Sequence, residues 1–168
     1  MSPEALEVEL ERLHPAAFGW ALACCGGDRA AAEDTLQASY LKALDGRARF
    51  DGRATFRTSF FSVVRRTAAE QRRRRALWRW LPMASVTATP DDGPDPAVAL
   101  TRSEGTRRLL AALVRLPRRQ REVLYLVFYQ DLSIAEAADV AGISLGTART
   151  HYERGKAALK KQLDGDRE

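Results

Sequence analysis

The chain has 168 residues, of which 45% are hydrophobic and 29% charged, with a net charge of +5 and a pI near 9.6. Such values describe a soluble globular protein of one ordinary domain or two small ones. They exclude a membrane-embedded chain, because the longest apolar runs, such as Val123 to Tyr129, are far too short to span a bilayer.

The N-terminal Met1-Ser2-Pro3-Glu4-Ala5 lacks the basic and apolar regions of a signal peptide, so a cytoplasmic protein is expected. Cys24 and Cys25 are adjacent in an apolar helical stretch, where neighbours point in different directions and a disulfide is disfavoured. With His14 they make too few ligands in the wrong geometry for a metal. They are expected to be buried small hydrophobes, and no metal or cofactor is expected. Charge is segregated. Arg65 to Arg79 holds seven arginines and one acid, Glu70, whereas Pro90 to Pro96 holds three aspartates and no base. That pattern suits a protein meeting a polyanion with one surface and something different with another.

Taken in chain order, nearly everything reads as helix, from apolar residues three and four apart. The first helix is expected from Pro3 to Leu13, ending before Pro15, and a second from Ala16 to Cys25, stopped by Gly26-Gly27. Asp28 caps a third through Leu44, with Ala32, Leu36, Tyr40 and Ala43 in one stripe and Glu33, Asp34, Gln37 and Lys42 elsewhere on its surface. A Gly- and Arg-rich loop, Asp45 to Ala54, precedes a long helix from Thr55 to Leu81. Phe56, Phe60, Val63, Val64 and Thr67 supply the inner face of its first half. Its second half is basic on most sides and projects to solvent or a ligand.

Pro82 to Pro96, with four prolines and Asp91-Asp92-Gly93, reads as a linker. Four more helices follow, near 98–115, 118–129, 133–141 and 146–163. The expected fold is all-α: two small helical domains, residues 1–81 and 97–168, joined by a flexible linker at 82–96.

Residues 133 to 154 have the pattern of a helix-turn-helix. Ser133 and Glu136 have capping-box spacing, Ala138 is small where helices cross, Gly142 suits the tight turn, and Ile143 plugs the crossing. Ser144 or Gly146 starts the second helix, whose inner side carries Ala148, Tyr152 and Leu159. Thr147, Arg149, Thr150, Glu153 and Arg154 are left outward, in the part that enters the major groove in such units. Arginine pairs with guanine edges, glutamate accepts from a cytosine amino group, and the threonines suit phosphate contacts.

Two motif groups in order on either side of a linker carry a family resemblance. The chain resembles the extracytoplasmic-function (ECF) group of bacterial RNA polymerase sigma factors over nearly its whole length. Gly27 to Gln37 is similar to that group's second conserved region, and the resemblance implies that Glu33, Asp34 and Gln37 dock on core RNA polymerase. Phe50, Gly52, Phe56-Arg57-Thr58 and the arginine-rich helix look like the segment that melts and reads the upstream promoter element, near −10. The implied contacts there are Phe50, Phe56, Arg57, Thr58, Arg65, Arg66, Arg72 and Arg73. Leu116-Pro117-x-x-Gln120-Arg121-Glu122-Val123-Leu124 and Gly146-Thr147 look like the fourth conserved region, which binds the polymerase flap and the distal element, near −35. The resemblance thus implies core polymerase and promoter DNA, duplex and single-stranded, as partners, with an anti-sigma protein as an inhibitory partner. By the same resemblance the acidic linker threads near the RNA exit path.

The chain departs from the family at Ser59, where tryptophan is usual, and at Arg66, where a pocket-forming asparagine is common. Ala137 and Ala148 replace bulkier residues, and Gly155 replaces a frequent alanine. An Arg66 that fills the pocket changes the preferred promoter base. Two alternatives fit parts of the chain. A plain helix-turn-helix regulator leaves Glu33-Asp34-x-x-Gln37 unexplained, and a sigma-like adaptor without promoter opening is kept open by Ser59 and Arg66. An enzyme is disfavoured, since His14 and His151 lie far apart without a nucleophile, and neither a phosphate loop nor a HExxH motif is present.

Overall fold

A computed structural model describes residues 2–48, 50, 52–80 and 104–165. The expected linker at 82–96, Leu81 and the first residues of the helix expected near 98–115 lie outside these. The chain divides into two compact units, Met1–Gly93 and Pro94–Glu168. All regular structure among the described residues is helical: α1 (Pro3–Cys24), α2 (Arg29–Leu44), α3 (Phe56–Trp78), α4 (Glu104–Val114), α5 (Arg118–Phe128), α6 (Ile134–Ala141) and α7 (Leu145–Gly165).

In the first unit α1, α2 and α3 pack pairwise against one another. The helix break expected at Pro15 does not occur: α1 runs unbroken from its Ser2 cap, whose hydroxyl accepts from the Ala5 amide, to Cys24. Proline removes the hydrogen bond to the carbonyl four residues back, here that of Glu11. Glu11 and Pro15 are both exposed, so water can serve that carbonyl. Leu10, Ala17, Trp20, Ala21 and Cys24 bury one stripe that crosses the proline, and this tertiary packing overrides the local rule. Trp20 is fully buried and its indole N–H donates to the Phe61 carbonyl of α3 at 3.0 Å. Gly26 and Gly27, both at positive φ, turn the chain into α2, which Asp28 caps through the Ala31 amide. Thr55 caps α3 through the Thr58 amide.

The α2–α3 contact is polar as well as apolar. The buried Thr35 hydroxyl donates to Gln71 at 2.6 Å and lies 3.5 Å from the Cys25 sulfur. Lys42, expected on the open surface, instead reaches across to α3, with its Nζ 3.0 Å from the Thr67 hydroxyl and 2.6 Å from Glu70. The hydrogen bond from Lys42 is the main cause holding the Glu70 carboxyl below the ordinary glutamate value. Burial pushes the Cys25 thiol up, opposed by the Thr35 hydrogen bond. Cys24 is buried, as expected, whereas Cys25, also expected to be buried, is only half-buried.

In the second unit α7 packs on α4, α5 and α6. Its core includes Leu113, Leu116, Val123, Leu124, Leu126, Val140 and Leu159. Glu122 is buried among them and is held by Arg118 at 3.0 Å and Arg119 at 3.5 Å. Arg119 also donates to the Ala141 carbonyl at the end of α6, at 3.2 Å, which ties α5 to the turn. Gly155, a departure that lowers helix propensity, has a packing reason. A Cβ placed there would meet Leu124 Cδ1 at 3.0 Å and Gln120 Cβ at 3.1 Å, so a side chain here makes α5 give way by a few tenths of an ångström, and glycine spares it that shift. Gly155→Val is accordingly expected to overpack this contact and cost about 1–3 kcal/mol. Urea unfolding followed by circular dichroism measures it, while tryptophan emission, confined to the first unit by Trp20, Trp78 and Trp80, stays unchanged.

Candidate functional surfaces

On α2, Glu33, Asp34 and Gln37 are all exposed, and Glu33 pairs with Arg29 at 3.1 Å. Helical spacing sets Asp34, Gln37, Leu41 and Leu44 on one face. Leu41 and Leu44 are 56% and 48% exposed, so an acid, an amide and two leucines form one continuous outward strip. The leucines were missed in the sequence because an apolar residue at helical spacing reads as core. The signal that finds them is phase, since the buried set of α2 (Ala31, Ala32, Thr35, Leu36, Ser39 and Ala43) leaves them on the opposite side.

The loop before α3 is fastened by aromatic rings. Phe50 packs on Phe56 with centroids 4.7 Å apart, Phe56 on Phe60 at 6.1 Å, and Phe60 on Tyr40 at 5.5 Å. His14 continues the series, stacked on Tyr40 with its Nδ1 2.8 Å from the Tyr40 hydroxyl, and Phe18 follows. Burial raises the pKa of that hydroxyl. Phe50 and Phe56 are half-buried. The Arg57 guanidinium lies over Phe61 at 5.4 Å.

Along α3, Arg65 is half-buried, while Arg66, Arg72 and Arg73 are exposed. Arg66 donates to the Ser62 carbonyl at 3.3 Å, and Ser59 is half-buried. Thr58 differs from these. It is only 1% exposed, and Thr55 donates to its hydroxyl at 2.9 Å within the helix-capping network. It belongs to the scaffold rather than to the accessible surface.

The second unit carries a complete helix-turn-helix. Ser133 and Glu136 satisfy each other's backbone amides in a capping box, and Gly142 closes α6 at φ 64°, a conformation that favours glycine. Ser144 caps α7 through the Thr147 amide at 3.1 Å. Ala137, Ala138 and Ala148 are buried where α6 and α7 cross. Ile143, expected to plug the crossing, is only half-buried, as is Tyr152. Thr147, Arg149, Thr150, Glu153 and Arg154 are all exposed. The Thr147 hydroxyl is 2.8 Å from that of Ser144, and the Thr150 hydroxyl donates to the Gly146 carbonyl at 3.1 Å. Both hydroxyls are therefore occupied locally, whereas the Arg149 and Arg154 guanidiniums point outward. His151 is half-buried, and its Nδ1 is buried without a hydrogen-bond partner. No group of three His, Cys, Asp or Glu side chains suited to a metal occurs among the described residues, and no described helix is long and apolar enough to cross a membrane.

Residues 10–77 match the family model of sigma-70 region 2, and residues 106–159 match that of sigma-70 region 4. The chain belongs to the sigma-70 family.

Among its relatives is the RNA polymerase sigma factor YlaC of Bacillus subtilis, 30% identical over 140 residues that cover 82% of this chain and 80% of that protein. The ECF sigma factor SigF of Caulobacter vibrioides is 36% identical over 132 residues, covering 78% and 68%. The fold is that of the sigma factor RpoE from Bartonella quintana, solved in complex with the anti-sigma factor NepR. That structure gives a TM-score of 0.75 at 23% identity, covering 96% of this chain and 98% of that one. CnrH, solved with the cytosolic domain of CnrY, gives 0.67 at 24% identity, covering 98% and 91%. The protein is thus an alternative sigma factor of the ECF group, which binds core RNA polymerase and directs it to promoters. The region 2 match covers most of the first unit, which a plain helix-turn-helix regulator leaves without a role.

Proposed function

We propose that the two units divide the work of a sigma factor between named surfaces. The Asp34, Gln37, Leu41 and Leu44 strip of α2, with Glu33 beside it, docks on core polymerase. Its leucines bury apolar area, and its acid and amide supply directional polar contacts. The Phe50–Phe56 pair, with Arg57, Arg65, Arg66, Arg72 and Arg73, holds the upstream promoter element as it melts, rings against unstacked bases and guanidiniums against phosphates. Arg149, Glu153 and Arg154 of α7, flanked by Thr147 and Thr150, read the distal element as duplex. Residues 82–96 serve as the tether between domains 1–81 and 97–168. The chain performs no bond chemistry of its own, acts in the cytoplasm and is restrained by an anti-sigma protein that covers one of these surfaces.

The observation that carries this reading is the outward strip on α2, an acid, an amide and two exposed leucines that the fold leaves unburied. Asp34→Ala and Gln37→Ala are each expected to weaken binding to core polymerase by about tenfold. Their helix content should not change, because both side chains are exposed. Competition for core polymerase against a labelled sigma factor measures the effect. Unchanged affinity in both variants would move the docking face off α2.

A further inference from the structure

The core of the second unit contains an acid. Glu122 of α5 is 1% exposed, and its carboxylate is held by Arg118 at 3.0 Å and by Arg119 at 3.5 Å. A buried carboxylate is costly unless paired, and an apolar residue of similar volume often serves stability equally well. The pair therefore calls for a role beyond packing, and Arg119 supplies one. The same Nη1 that faces Glu122 also donates to the Ala141 carbonyl at 3.2 Å. Ala141 is the last residue of α6 and is itself 1% exposed. The final carbonyls of a helix lack partners within it, and its dipole favours a cation there. Arg119 thus caps α6 from a neighbouring helix, one residue before the left-handed Gly142 that turns the chain towards α7.

α7 is anchored on α5 at Gly155 and Leu159, so a shift of the turn swings its N-terminal half. Arg149 lies about 9 Å along the axis from Gly155, and a swing of about 10° carries it roughly 1.5 Å. A binding constellation tolerates displacements of only about 0.5 Å. We infer that Arg119, oriented by the buried Glu122, is a positioning residue that sets the angle at which α7 presents Arg149 and Arg154 to duplex DNA. It acts through the turn and touches no base itself. The inference rests on the reading of α7 as the duplex-reading helix.

The test measures the full-length protein on two duplexes, one bearing the distal motif recovered from its own mapped start sites and one with that motif scrambled. Arg119→Gln is expected to lower the ratio of the two affinities about tenfold, with binding to the scrambled duplex and its salt dependence unchanged. Glu122→Gln should lower the ratio similarly, and the double variant should match the larger single loss, because the two residues act as one unit. The Arg119 side chain is 44% exposed, so its variant stays folded even where Glu122→Gln does not. Arg118→Gln breaks the shorter pair to Glu122 but spares the hydrogen bond from Arg119 to Ala141, and should keep the ratio. An undiminished ratio in Arg119→Gln, or an equal loss in Arg118→Gln, would overturn the inference. So would an equal fall on both duplexes with a shallower salt dependence, which marks a direct phosphate contact. If Arg149→Ala with Arg154→Ala leaves the ratio intact, the reading of α7 fails and the inference with it. If that variant loses the ratio while Arg119→Gln keeps it, the inference alone fails.

Discussion

Trp20→Ala is expected to cost the first unit about 3–5 kcal/mol, the range for truncating a large buried aromatic side chain. The indole is fully buried between α1 and α3 and donates to the Phe61 carbonyl, so the variant loses packing and a buried hydrogen bond together. A unit of this size has marginal stability to begin with. Circular dichroism melts should show helix lost at a temperature where the parent is folded, and core polymerase binding should fail with it. Duplex binding through α7 should survive, because the second unit has a hydrophobic core of its own around Leu113, Leu116, Leu124 and Leu159. A single cooperative loss of both activities would contradict the division into two units. Trp20→Phe keeps most of the packing but not the N–H, and should lie between parent and alanine variant.

The second large effect is expected at α7. Arg149→Ala with Arg154→Ala removes the two outward guanidiniums of the recognition helix while leaving Ala148, Gly155 and Leu159 packed beneath. Each well-placed arginine–guanine pair is worth about 1–3 kcal/mol of discrimination, so the double variant should lose roughly thirtyfold or more in distal-element affinity. Because Lys156, Lys160 and Lys161 remain, non-specific binding should fall far less. Electrophoretic mobility shifts on matched and scrambled distal elements separate the two effects. Thr150→Ala should change little by comparison, because its hydroxyl is already engaged with the Gly146 carbonyl.

Local rules were legible where one segment alone sets the structure. The Asp28 and Ser133 caps, the Ser133–Glu136 capping box and the αL Gly142 all follow from short-range chemistry, and the helix-turn-helix could be placed from the last two. The outward positions of Arg149 and Arg154 followed from helical phase.

What was not legible depends on contacts between distant residues. Pro15 reads as a helix end until the stripe from Leu10 to Cys24 is seen buried on two other helices. The Thr35–Gln71 and Lys42–Glu70 pairs join residues 36 and 28 apart and have no local signature. Thr58 lies within a motif of functional type, yet its burial is decided by the packing of α3. Gly155 looks like a defect in a helix and turns out to be the point where α7 meets α5.

The measurement that bears most directly on the central claim mixes the purified protein with core RNA polymerase and maps the transcripts started on fragmented genomic DNA from the source organism. A working sigma factor produces discrete start sites that share two spaced upstream motifs, and those sites disappear with Asp34→Ala combined with Gln37→Ala. Stable association with core polymerase without any new start sites, or promoter binding without core association, would contradict it.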